Sequence, residues 1–283
     1  MILVTGAGGH VGRAVVADLA SRGRSVIAMV RDADTARARL PPDVALGIAD
    51  YDDVPALRRA FAGVDELVLV SSDGEASAVL RHHANVIGVA AASGIERITF
   101  TSIVDVEASS PFYFAPVYRD AERRLQGCGV PSTIVRCGLY SDFILEHWLV
   151  PGRMSGELAL PAGTGRAAPV SRADVAAAVA AVAAGPEKPG VLTITGDRAL
   201  DFVEIAASYA AVGGSPLRYR SCTDAEYRSA ASTRLEEPWP EAFATLCASI
   251  GEGRYAHVTS DFAAATGRKP EGFRDFLQRA LPR

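Results

Sequence analysis

Hydrophobic and polar positions follow two alternating rhythms along most of the chain. Ile2, Leu3 and Val4 make a short apolar run suited to a strand buried on both faces. From Val11 the period becomes helical, with Val11, Val15 and Leu19 four residues apart, and Gly23 ends the helix. The same exchange recurs. Strands are predicted at 25–30, 44–49, 66–70, 97–101 and 132–136. Helices fall between them at 33–40, at a segment ending in Leu57 to Phe61, at 78–93 and at 118–126, with Asp52 or Asp53 as a cap for the second. Strands alternating with helices over the first 135 residues imply an α/β fold with a doubly wound parallel (Rossmann) sheet.

The rhythm then loosens. Phe143, Leu145, Trp148 and Leu149 make an apolar cluster suited to walling a pocket. An alanine-rich stretch at 174–185 reads as a buried helix capped by Ser171, followed by a strand at 191–195. Further helices are predicted at 199–212, 224–230 and 273–281. The last third carries Tyr219, Tyr227, Trp239, Phe243 and Tyr255 without a strand–helix repeat, which points to a smaller C-terminal substrate lobe. The division expected is 1–140 with about 163–198 for the sheet domain, and about 141–162 with 199–283 for the lobe.

Composition narrows the partners. A net charge of −4 gives no reason to expect nucleic acid or an acidic membrane surface. No stretch approaches the roughly 20 apolar residues of a membrane helix. The N-terminus reads as a strand without a basic leader, so a cytoplasmic location is expected. Cys128, Cys137, Cys222 and Cys247 lack metal or redox spacing and read as buried free thiols. Neighbouring His82 and His83 face different ways around a helix, at surface or groove-lining positions, and do not form a metal pair. No metal is expected.

Candidate chemistry begins at the first turn. Gly6, Gly9 and Gly12, spaced by two residues each, lie between a strand and a helix N-terminus. Such a turn brings free backbone N–H groups and the positive end of the helix dipole against a pyrophosphate. At the end of the second strand an acid would bind the ribose of NAD, whereas Arg31 suits the 2′-phosphate of NADP by charge and fork geometry. Asp32 beside it competes for the ribose role. Asp50 and Tyr51 close the third strand and are read as lying near the adenine. Ser71 and Ser72 occupy a strand's carboxyl end, as does the Gly138-Leu139-Tyr140-Ser141 run, and doubly wound sheets bind ligands there.

With these residues placed, the segments TGAGGHVG, MVRDADTAR, ADYDD, LVSS, NVIGVAAASGI, FTSIV, VRCGLYSDF and SRADVAAA resemble the atypical short-chain dehydrogenase/reductases of the NmrA-like group. The similarity is to its NAD(P)H:quinone oxidoreductase and triphenylmethane-reductase type. It implies NADPH against Gly6, Gly9, His10, Val11 and Gly12, the 2′-phosphate on Arg31, and Gly138, Tyr140 and Ser141 flanking the nicotinamide. The group also contains dinucleotide-binding regulators that reduce nothing, so catalysis is a separate question.

Standard short-chain dehydrogenases use a serine with a tyrosine and lysine four residues apart, the lysine lowering the tyrosine pKa. Only two of the 29 basic residues here are lysines, Lys188 and Lys269, and Tyr118 is followed four residues on by Glu122. In the type resembled, a histidine stands at Tyr118 and a lysine at Arg123. Ser102 sits at the strand tip of the usual catalytic serine, and Ser102 and Tyr118 are the catalytic candidates. A quinone accepts hydride readily, so the missing lysine weakens a ketone reductase more than a quinone or dye reductase. The expectation is an NADPH-dependent reductase of a quinone or similar conjugated aromatic acceptor, with a homodimer left open. The alternatives are a non-catalytic redox sensor and a reductase that tailors a polycyclic natural product.

Overall fold

The computed structural model describes residues 1–186, 190–213 and 215–281, and Lys188 lies outside them. In chain order, the first half contains β1 (Ile2–Val4), α1 (His10–Ser21), β2 (Val26–Val30), α2 (Ala33–Arg37), β3 (Ala45–Ile48) and α3 (Val54–Ala60). It continues through β4 (Glu66–Leu69), α4 (Ala76–Ala92), β5 (Arg97–Ile103), α5 (Ala115–Gly127) and β6 (Ser132–Cys137). A helical stretch follows as α6 (Ser141–Phe143), a π turn (Ile144–Leu149) and α7 (Val150–Gly152). Next come β7 (Glu157–Leu160), β8 (Arg166–Ala167), α8 (Arg172–Ala184), β9 (Val191–Ile194), β10 (Leu200–Asp201) and α9 (Phe202–Gly213). The chain closes with β11 (Arg218–Ser221), α10 (Asp224–Ala231), α11 (Trp239–Gly251), α12 (Asp261–Thr266) and α13 (Phe273–Ala280).

Seven parallel strands form the main sheet in the order β3-β2-β1-β4-β5-β6-β9. The direction of winding reverses between β1 and β4, which opens a crevice at the carboxyl ends of those strands. The apolar run of β1 serves both faces. Ile2 and Val4 pack with Val15, Leu19 and Val179 on one side, while Leu3 joins Leu57, Val86 and Phe100 on the other. Alanine-rich α8 is buried on most of its circumference, between α1 and α12, and Ser171 Oγ accepts from Asp174 N as its cap. Helix α3 is capped by Asp53, whose carboxylate accepts from Ala56 N.

A third apolar core gathers the irregular segment and the C-terminal helices around Trp148, Phe202, Tyr209, Phe243 and Phe276. Two short sheets brace it, parallel β7–β11 and antiparallel β8–β10. The region after Phe143 is more ordered than its pattern suggests. The π turn places Ile144, Leu145, Trp148 and Leu149 together in this core, and Trp148 also lines a cavity with His147, Leu158 and Tyr227. Of the predicted thiols, Cys137 and Cys247 are buried, but Cys128 and Cys222 are only half-buried.

The segment before α12 returns to the main sheet. Asp261 Oδ2 accepts from Thr193 N at 2.8 Å, and Thr259 Oγ1 donates to the Thr193 carbonyl. Phe262 completes the core beneath β9. No helix of the described residues is long and apolar enough to cross a membrane.

Candidate functional site

The phosphate end of the crevice is made of backbone. Gly6 follows β1 with φ +59°, a left-handed conformation that side chains rarely tolerate. A Cβ on Gly12 would lie 2.3 Å from the Gly6 carbonyl oxygen, so only glycine lets α1 start this close to the strand. Gly9 N donates to that same carbonyl at 3.0 Å and Gly9 caps α1 without a side-chain bond. No acidic residue occupies the first turn of α1, which leaves the N–H groups at its start, including those of His10 and Val11, to an anion. The turn fits a pyrophosphate.

Next to it, Arg31 is exposed at the end of β2, and no hydrogen bond or ion pair engages its guanidinium among the described residues. The competing acid is occupied. Asp32 accepts from Thr35 N and Thr35 Oγ1 as the N-cap of α2, and those bonds hold its carboxyl below the usual range. An anion arriving here meets the arginine rather than the aspartate.

Past the end of β3, Tyr51 Oη donates to the Val70 carbonyl, and burial pushes its hydroxyl up to about 12. Asn85 Nδ2 donates to the Tyr51 carbonyl. Asp50 Oδ1 accepts from Asp52 N at 2.9 Å. Asp50, Asp52 and His82 are the one group of the described residues with metal-ligand spacing. Asp52 is already held by both nitrogens of an Arg81 fork, at 2.7 and 2.9 Å, which lowers its pKa to about 2. The arrangement is an exposed ion pair with a histidine beside it.

Side chains build the other end. Thr5 Oγ1 accepts from Val70 N and so ties the tip of β1 to that of β4. Ser71 N donates to Thr101 Oγ1 at 2.9 Å. Its hydroxyl lies 3.0 Å from His83 Nε2 and 3.2 Å from Tyr118 Oη, to which it donates. Ser72 Oγ meets His82 Nδ1 at 3.0 Å. His83 is not at the surface or lining a groove, as its position beside His82 suggested, but only 1% exposed, with Phe100 edge-on to its ring. Burial, then His82, pulls its pKa down to about 4. Tyr118 is half-buried, and burial raises its pKa despite the Ser71 hydrogen bond.

One turn further along α5 lies a different cluster. Ser102 Oγ donates to Glu122 Oε1 at 2.6 Å, and Arg136 grips both Glu122 oxygens at 3.0 and 2.6 Å. Ser102 is 2% exposed and its hydroxyl is engaged by the Glu122 carboxylate. Arg123 does not replace the lysine, because its side chain is 76% exposed and paired with Asp120. Glu122 and Arg136, unassigned in the sequence, account for Ser102. Only the Glu122 charge four residues after Tyr118 hinted at them.

The third tip is mainly structural. A Cβ on Gly138 would meet the Ile194 and Ala168 carbonyls at 3.2 and 3.4 Å, so this glycine accommodates β9. Ser141 is buried and its N–H donates to Val170 O. Tyr140 lies under Arg172, its hydroxyl pKa pushed well up by burial and by Cys137. Of the C-terminal aromatics, Tyr227, Phe243 and Tyr255 are core, while Trp239 is half-buried. Phe114, Trp239, Phe243 and Phe143 form a run of ring contacts, with centroids 4.8–5.9 Å apart.

Comparison with known proteins agrees with this geometry. Residues 6–186 match the NAD(P)H-binding family model. Quinone oxidoreductase 2 of Escherichia coli (strain K12) is 32% identical over 234 residues, covering 81% of this chain and 80% of that protein. The (4-alkanoyl-5-oxo-2,5-dihydrofuran-3-yl)methyl phosphate reductase of Streptomyces griseus is 31% identical over 278 residues, 98% of this chain and 96% of its own. The crystal structure of an Escherichia coli NADPH-dependent quinone oxidoreductase complexed with NADPH superposes with a TM-score of 0.92, at 28% identity and 99% coverage of both chains. The glycine turn, the sheet order and these matches together make the chain a member of the NAD(P)H-binding family to which quinone oxidoreductase 2 is related.

Proposed function

We propose that the protein is an NADPH-dependent reductase of a quinone or similar conjugated acceptor. The observation that carries this reading is the state of α5. Burial favours the neutral form of Tyr118, Glu122 rather than a lysine follows it four residues on, and that acid is spent on Ser102 and Arg136. On α5 such a site orients and hydrogen-bonds, and neither Tyr118 nor Glu122 is poised there to give up a proton near neutral pH. It suits an acceptor that takes hydride without prior protonation. When bound, the dinucleotide supplies that hydride, and water supplies the accompanying proton. The chain's own residues bind the phosphates at Gly6 to Gly12, and Arg31 takes the 2′-phosphate. The acceptors named for the two relatives, a quinone and an alkanoyl-oxo-dihydrofuran, are both conjugated carbonyl compounds.

The test is NADPH oxidation, followed by absorbance, with a panel of quinones set against simple ketones. Steady turnover with quinones, faster than with NADH, is the expected result. NADPH binding without oxidation by any acceptor would turn the reading toward a sensor. Arg31→Ala should weaken NADPH at least ~10-fold and leave NADH nearly unchanged. Equal loss for both would remove the 2′-phosphate assignment.

A further inference from the structure

The reacting end holds a buried histidine that hydride transfer does not call for. His83 comes from the middle of α4, packs edge-on to Phe100, lies with its ring centroid 6.0 Å from that of Tyr118, and meets Ser71 Oγ through Nε2. Its Nε2 is 3.0 Å from Ser71 Oγ, while its Nδ1 is buried with no hydrogen-bond partner among the described residues. A neutral imidazole carries one proton, and the partner on the other nitrogen decides where it sits. Placed on Nδ1, the proton would be an orphaned buried donor. Placed on Nε2, it is used, and only a lone pair goes unmatched. The second tautomer is favoured, since buried donors without partners are the rarer defect.

The direction of that bond decides whether the Ser71 proton is free for the groups beyond it. Ser71 has a single hydroxyl proton, shared between the Ser72 carbonyl at 3.0 Å and Tyr118 Oη at 3.2 Å. If Ser71 gave its proton to His83, Tyr118 would have to donate back to Ser71. Its own proton would then be lost to the crevice. We infer that His83 is a positioning residue whose Nε2–H donates to Ser71 Oγ, so that Ser71 donates to Tyr118 Oη and the Tyr118 hydroxyl is left to donate a hydrogen bond, without giving up its proton, to the acceptor's oxygen. Each donor in the chain His83–Ser71–Tyr118 polarises the next, which strengthens the last bond where negative charge develops. No proton leaves His83: burial and His82 hold its pKa near about 4, and Nδ1 has no supply. The role is to fix polarity. It rests on the reductase reading, because it gives Tyr118 an acceptor to serve.

The experiment uses the full chain and compares His83→Phe, His83→Gln, Tyr118→Phe and the double variant His83→Phe/Tyr118→Phe. The Gln side-chain N–H can reach the place of Nε2–H, whereas Phe keeps the ring and loses the donor. His83→Phe should lower kcat for quinone reduction about 10- to 100-fold, with KM for NADPH within about twofold. His83→Gln should recover most of that loss, and the double variant should be no slower than Tyr118→Phe alone. Unchanged kcat in His83→Phe, or additive losses in the double variant, would overturn the proposal. Nitrogen-15 spectra of the wild-type histidines in the NADP⁺ complex decide the same point without turnover and without a variant that must fold. A neutral ring protonated at Nε2 is expected at pH 7, and an Nδ1–H tautomer or an imidazolium defeats it. If the wild type reduces no acceptor, the reductase reading fails on its own, and the spectra still report on the proton order.

Discussion

The two ends of the crevice are built from different materials. At the end proposed to hold the phosphates, the available binding groups are backbone N–H groups and a helix terminus. Side chains matter there by their absence, at Gly6 and Gly12. At the other end, backbone groups of Val70, Ser71 and Ser72 take part, but side chains of Thr5, Ser71, His83, Thr101 and Tyr118 supply one partner of each contact. The first kind of site is completed within a dozen residues and is sensitive to an atom added at Gly12. The second depends on which side chains meet across the fold. It has produced two outcomes one helical turn apart: a neutral chain ending at Tyr118 and a closed ionic cluster around Glu122.

Gly12→Val is the strongest way to break the contrast. Its Cβ would collide with the Gly6 carbonyl, so NADPH affinity measured by fluorescence titration should fall at least ~100-fold, about 3 kcal/mol. Binding near the wild-type level would show that the turn can open without loss.

Glu122→Ala comes next and should act on stability. It strands the Arg136 guanidinium and the Ser102 hydroxyl, at a cost of roughly 3 kcal/mol and a melting temperature lower by about 5–10 °C. Affinity for NADPH should hold, and a matching loss of affinity would mean that the two ends are coupled.

Acid sharpens the comparison from the His83 side. The folded pKa of about 4 lies below the ordinary value of 6.5, so between those limits the unfolded chain binds more protons. Stability contributed by neutral His83 is complete above pH 6.5 and is lost as pH falls toward 4, by roughly 3 kcal/mol at most. Denaturant titrations of the wild type and His83→Gln should diverge in that window, and parallel curves would refute the assignment. Ser102→Ala should have the smallest effect. It removes one charge-assisted bond, about 1–2 kcal/mol, and turnover should survive. Loss of turnover would place Ser102 among the reacting groups.

This contrast also marks where sequence reading succeeds. The β1–α1 turn was legible because strand, glycines and helix are contiguous, and Ser171 and Asp53 announced their helices for the same reason. The fate of Ser102 was not legible, since Glu122 and Arg136 arrive from 20 and 34 positions away. His83 read like its neighbour His82, because nothing local distinguishes a histidine facing Phe100 and Ser71 from one facing solvent. The β7–β11 pair joins segments some sixty residues apart, and neither strand alternates strongly enough to be seen alone. The π turn was hidden for another reason. Its residues were correctly read as apolar, but apolar character alone does not say which wall they form.

The return of Thr259 and Asp261 to β9 bears on assembly. An outer strand normally offers its unpaired N–H and C=O groups as a template for another chain. Here both main-chain groups of Thr193 are already taken, one by a carboxylate and one by a hydroxyl. The sheet is thereby blunted at this border by the protein's own later segment. A second copy seeking to lengthen the sheet would have to approach from β3, across seven strands from this closed side.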